Sequence, residues 1–91
     1  MIDIGRRKGT VRFRVSPGPG ARNVCLAGDF SNWQPINLQK QKDGSFTTEL
    51  SLPPGTYQYK FICDGRWVAD PDNQRQAANP YGTTNSVAVV T

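Results

Sequence analysis

Apolar and polar residues alternate along most of this chain, and a period of two admits strands and leaves no face for a helix to bury. Thr10–Ser16 reads T-V-R-F-R-V-S, with Val11, Phe13 and Val15 on one side and Arg12 and Arg14 on the other. Pro17-Gly18-Pro19-Gly20 forbids continuation and makes a stiff turn. Val24 and Leu26 alternate with Cys25 in a second strand that ends near Gly28. A weak strand spans Asn37–Lys42, followed by the Asp43-Gly44 turn. Phe46, Thr48, Leu50 and Leu52 then share a face until Pro53-Pro54-Gly55. Tyr57, Tyr59, Phe61 and Cys63 share a face in the strongest strand. Asp64-Gly65 is a two-residue hairpin turn returning through Arg66–Ala69, and Val87 and Val89 mark a final strand. About seven short strands with turns between them predict an all-β fold, a small antiparallel immunoglobulin-like β-sandwich. The polar stretch Asp70–Thr84 is long for a loop in a compact domain, which points to function, disorder or a bent last strand.

The 91 residues suffice for one domain, without linker or internal repeat. No apolar run approaches the ~20 residues of a membrane span, and MIDIGRRKGT has no apolar signal core, so no membrane partner is expected. The net charge of +4 raises nucleic acid as a partner. Arg6, Arg7, Lys8, Arg12 and Arg14 crowd into the start of the chain while the other basic residues are scattered, so no nucleic-acid surface is expected. We divide the chain into a basic N-terminal segment, 1–9, and a sandwich, 10–91. Cys25 and Cys63 are the whole thiol inventory; strand phase puts them on opposite faces, and so few thiols suit a reducing cytoplasm.

Catalysis has little to draw on. The chain has no histidine, and two cysteines leave no zinc site. Asp43 and Asp64 precede glycine and are explained by turn conformation. Asp29 and Asp70 could form a glycosidase pair, but nothing in the sequence brings them together. Asp70-Pro71-Asp72-Asn73 lacks the remaining ligands of a calcium loop. No enzyme activity, metal or cofactor is expected.

The two tryptophans say more. A two-residue turn at Asp64-Gly65 pairs Ile62 with Trp67 and Phe61 with Val68, which sets Trp67 beside Ile62 and diagonally near Lys60. The Tyr59/Phe61/Val68 face is the richer in apolar groups and claims the core, so Trp67 and Lys60 point outward. The indole then either packs under the long loop or forms a flat platform beside a long donor. The platform suits a sugar, whose C–H face stacks on an indole while its hydroxyls take hydrogen bonds.

Val24-Cys25-Leu26-Ala27-Gly28-Asp29-Phe30-Ser31-Asn32-Trp33, Gly55-Thr56-Tyr57-Gln58-Tyr59-Lys60-Phe61, Asp64-Gly65-Arg66-Trp67, Asp70-Pro71 and Asn79-Pro80-Tyr81-Gly82-Thr83-Thr84-Asn85-Ser86-Val87 stand in an order that resembles the isoamylase-type early-set β-sandwich. That group includes the glycogen-binding domain of the AMP-activated kinase β subunit, and the resemblance runs from about Thr10 to Val90. It implies a non-catalytic module for α-1,4-linked glucan, whether glycogen, starch or maltooligosaccharide. Trp33 and Trp67 match the family's two sugar-stacking tryptophans, Lys60 and Asn85 its hydroxyl-binding residues, and Thr83 its loop threonine. Tyr81 stands where the family has a loop leucine, and its ring either stacks on a sugar or caps the core. Early-set domains also serve as scaffolds beside other domains. The alternative is therefore a protein-interaction module docking on a kinase or glucan-processing enzyme through its edge strands.

Overall fold

The computed structural model describes residues 2–4, 10–18 and 20–90. Their strands are β1 (Ile2–Ile4), β2 (Thr10–Val15), β3 (Val24–Gly28), β4 (Ile36–Asn37), β5 (Gln39–Lys40), β6 (Phe46–Ser51), β7 (Gly55–Cys63), β8 (Arg66–Val68), β9 (Gln76–Ala78) and β10 (Thr84–Val90). One antiparallel sheet runs β1-β2-β6-β5 and the other β4-β3-β7-β10-β9, with β8 also on β7. Together they form the expected small all-β sandwich. Arg6, Arg7 and Lys8 of the basic segment, and Pro19 of the Pro-Gly turn, lie outside the described residues.

The alternating residues meet between the sheets. Val11, Phe13 and Val15 of β2 and Phe46 of β6 face Val24, Leu26, Tyr59 and Phe61, all buried. Phe13 packs edge-on against Tyr59 at 5.1 Å between ring centroids, and Tyr59 against Phe61 at 5.8 Å. The hairpin register is the one expected, with Ile62 opposite Trp67 and Phe61 opposite Val68. Asp64 and Gly65 both take positive φ, the mark of the twisted two-residue turn that Asp-Gly favours.

Four segments depart from the sequence reading. The first is Ile2–Ile4, assigned to the basic segment, which pair with β2 at the edge of the first sheet. The weak strand at 37–42 is two strands, β4 and β5, one in each sheet. Between them Leu38 donates its N–H to the Val24 carbonyl and buries its side chain, so the chain crosses from sheet to sheet there. The long polar stretch is not a plain loop, because Gln76–Ala78 pair with β10. In β10 itself the inward positions are Ser86, Ala88 and Val90, while Val89 is exposed. Ser86 falls opposite Tyr59, and its hydroxyl accepts the Asp70 N–H at 2.7 Å, which sets the phase of the strand.

Two acidic turn residues also do more than turn. Asp64 accepts the N–H groups of Arg22 and Asn23, and those bonds hold its carboxyl below the usual range. Asp43 accepts the Ser45 hydroxyl and N–H and pairs with Arg14.

β7 is longer than its neighbours, and this asymmetry makes room for a site. Along one edge Gly55–Tyr59 pair with β10 and Phe61–Cys63 with β8. Lys60 sits where the partner changes, and the chain between Ala69 and Thr83 must leave and return at that split.

Candidate functional site

A groove of about 750 Å3 opens over this split on the outer face of the second sheet. One wall is aromatic. Trp67 is held on β8 with half its surface exposed (50%). Trp33 reaches the same place from the turn after β3, and the two ring centroids lie 6.5 Å apart with the planes tilted by 41°.

The turn that carries Trp33 is built against local preference. Asn32 and Trp33 have φ of 56° and 61°, a region that costs a bulky residue about 1–3 kcal/mol. Hydrogen bonds offset that cost. Trp33 N–H donates to the Gly28 carbonyl at 2.9 Å, and the Ser31 hydroxyl donates to the Gln34 carbonyl at 2.9 Å. The indole Nε1–H donates to Asp29 Oδ1 at 3.1 Å, while Asp29 Oδ2 accepts the Gln58 N–H at 2.8 Å. One carboxylate thus ties the indole to the backbone of β7. Gly28 is needed for space, since a Cβ there would lie 2.6 Å from the Gln58 carbonyl oxygen and 2.8 Å from the Phe30 ring.

The floor and opposite wall are polar. Lys60 lies on the outer face as expected, yet it is not an exposed flank: only 9% of it reaches solvent. Its Nζ donates to Thr83 Oγ1 at 3.1 Å. Asn85 is buried beside it, on the next strand. Tyr81, at the tip of the 79–83 turn, is 88% exposed, so its ring does not cap the core. Trp33, Lys60, Trp67, Tyr81, Thr83 and Asn85 all line the one groove.

Asp29, Gln58 and Asn79 line it too, and the sequence reading did not place them there. Their signals were weak. Asp29 stands four residues before Trp33 in a polar turn, Gln58 two residues before Lys60 on one strand face, and Asn79 in an Asn-Pro turn signal.

Asp70 and Asp29 cannot act as a facing pair. Asp70 is buried in the core, where it accepts the Tyr59 hydroxyl at 2.7 Å and the Asp72 N–H at 3.0 Å. Burial raises the Tyr59 phenol far above its ordinary value, so it stays a donor. Asp29 is on the outer face, spent on Trp33 and Gln58. Among the described residues no three or more His, Cys, Asp or Glu gather as they would around a metal ion. None of the helices among them is long and apolar enough to cross a membrane. What the groove can do is stack a flat apolar surface on two indoles and hydrogen-bond its polar edge.

The chain is similar to known proteins over most of its length. Residues 11–91 match the family described as the glycogen recognition site of AMP-activated protein kinase. The 5'-AMP-activated protein kinase subunit beta-1 of Sus scrofa is 37% identical over 71 residues, 78% of this chain and 57% of that relative. The Bos taurus subunit beta-1 is 38% identical over 71 residues, 26% of its length, so the chain spans about a quarter to a little over half of the relatives it matches. Among solved structures, a maltogenic amylase from S. marinus superposes over all of this chain and 16% of its own, with a TM-score of 0.82 and 27% identity. A putative alpha amylase from Salmonella typhimurium does so over 97% of this chain and 14% of its own, with a TM-score of 0.76 and 27% identity.

Proposed function

This chain belongs to the family of the glycogen recognition site of AMP-activated protein kinase, and from that premise we propose that residues 10–91 bind α-1,4-linked glucan without catalysis. The observation that carries the reading is the pair of outward indoles at the mouth of a polar groove. Trp33 and Trp67 stack the C–H faces of two glucose units. Their 41° tilt suits an α-1,4 chain, which coils, better than a flat β-1,4 ribbon. Lys60, Thr83 and Asn85 serve the hydroxyls at the sugar edge, and Tyr81 adds an aromatic surface from the opposite loop. Contacts this few and this open give an affinity of about micromolar to millimolar.

The module works without metal or cofactor and acts in the cytoplasm, where two unpaired thiols are at home. Of the basic segment, Ile2–Ile4 pair with β2 at the edge of the first sheet, whereas the groove is built on the second. A second reading, docking on a kinase or glucan-processing enzyme, draws support from the names of the relatives and from the short outer strands β4 and β9 at the sheet edges.

Tryptophan fluorescence during titration with maltoheptaose or β-cyclodextrin tests the first reading, together with co-sedimentation on glycogen against serum albumin. A saturable change and glycogen-dependent pelleting are expected. No change with either sugar refutes glucan binding. Pull-down of a partner unaffected by soluble glucan would put the docking reading in its place.

A further inference from the structure

The polar side of the groove contains three side-chain amides, and the direction in which each donates follows from one fixed point. Asn79 provides it. The backbone N–H groups of Tyr81 and Thr83 lie 3.0 and 3.2 Å from Asn79 Oδ1, and a backbone N–H can only donate, so that end of the amide is the oxygen. Asn79 Nδ2 is thereby turned towards Thr83 Oγ1 at 2.7 Å and Asn85 Oδ1 at 3.0 Å. With its oxygen receiving that donor, Asn85 presents Nδ2 to Gln58 Oε1 at 3.0 Å. Gln58 is then ordered as well. Its oxygen is used inside the network, and its Nε2 hydrogen-bonds to none of the described residues.

From this ordering we infer that Gln58 is a further ligand contact, its Nε2 donating to an oxygen of the bound sugar, and that Asn79 is the positioning residue that turns the relay this way. The inference rests on the glucan-binding reading. Thr83 follows the same logic: its oxygen accepts from Lys60 Nζ and Asn79 Nδ2, which leaves its hydrogen for the groove. Gln58 Nε2, the Thr83 hydroxyl and the Lys60 ammonium therefore present donors together. The matching ligand is a neutral chain rich in acceptors, with hydroxyl, ring and bridging oxygens along one edge.

Nuclear magnetic resonance of the whole chain titrated with maltoheptaose tests this. The side-chain amide signals of Gln58 should shift and their exchange should slow, whereas those of Asn79 should be protected before ligand is added. The indole N–H signals report the platform independently. Gln58→Glu keeps the acceptor for Asn85 and removes the groove donor, so affinity should fall about 3–10-fold. Because salt screens a pair with the buried Lys60 only weakly, the uncharged Gln58→Met, which also removes the groove donor, is measured beside it and should lose affinity in the same direction. Asn79→Asp keeps the acceptor for the Tyr81 and Thr83 N–H groups, reverses the donating end and should weaken binding at an unchanged thermal midpoint. If the indole signals move while the Gln58 amide stays still, or Gln58→Glu binds like the parent, Gln58 only braces Asn85 and the contact is refuted. If Asn79→Asp binds like the parent, the positioning role is refuted. If neither the indole nor the Gln58 signals move, glucan binding itself fails and the contact fails with it.

Discussion

Truncating Trp67 to alanine separates an aromatic that binds from one that holds the fold. A tryptophan buries ~150–250 Å2 when enclosed. Trp67 has half its surface in water, so truncation removes about half that contact, at most ~2–3 kcal/mol at 25 cal/mol per Å2. The unfolded chain already hides part of that area, and alanine, unlike tryptophan, has no rotamer entropy to lose on folding, which brings the expected loss to about 1–2 kcal/mol. No cavity term is added, because water fills the space. Phe61 is the control: it is fully buried on the opposite face of the hairpin, and Phe61→Ala should cost about 3–5 kcal/mol. For a domain of this size each kcal/mol lowers the thermal midpoint by about 4–8 °C, so circular dichroism melts resolve the two variants easily. Calorimetric titration with maltoheptaose supplies the second axis. Trp67→Ala should lose about 30-fold or more in affinity, as removal of a central aromatic anchor does. A melt lowered as far as that of Phe61→Ala would show that the indole belongs to the core. A folded variant with parental affinity would show that the platform is not where sugar binds.

Three further outcomes follow from other parts of the sandwich. Gly28→Ala should destabilise by about 1–3 kcal/mol, read as a lower urea midpoint at unchanged slope, because its Cβ would meet the Gln58 carbonyl and the Phe30 ring below contact distance. Thiol titration of the denatured, unreduced protein should count two free thiols, and Cys63 should alkylate slowly in the native state: burial, then the nearby Asp64 charge, pushes its pKa up and lowers its thiolate fraction at any given pH. Asp64 should titrate in the folded protein below the ~3.9 of a free aspartate, and its stabilising contribution should be complete above that value and vanish as pH falls through the lowered folded pKa; a folded-state titration at or above 3.9 by carboxyl resonances would contradict the Arg22 and Asn23 bonds.

Much of the molecule was legible in the residues themselves, for reasons that are local. The alternation in Thr10–Val15 and Tyr57–Cys63 determined the strands and their inward faces, since side chains in extended backbone point to opposite sides in turn. Asp64-Gly65 determined the register that sets Trp67 on the face opposite Phe61, because only a few residues enter a two-residue turn at positive φ. The ordered motifs determined the family and six residues that line one groove. The tertiary structure decided the rest. Whether 37–42 is one strand or two depends on which sheet each half reaches, and the phase of β10 depends on Ser86 meeting Tyr59 and Asp70. The cover over Lys60, the tether between Asp29 and Trp33 and the direction of the Asn79–Asn85–Gln58 relay depend on groups brought together by separate strands and turns. A hydrogen bond has a donor and an acceptor whose meeting is a fact of three-dimensional packing, and no periodicity along the chain records it.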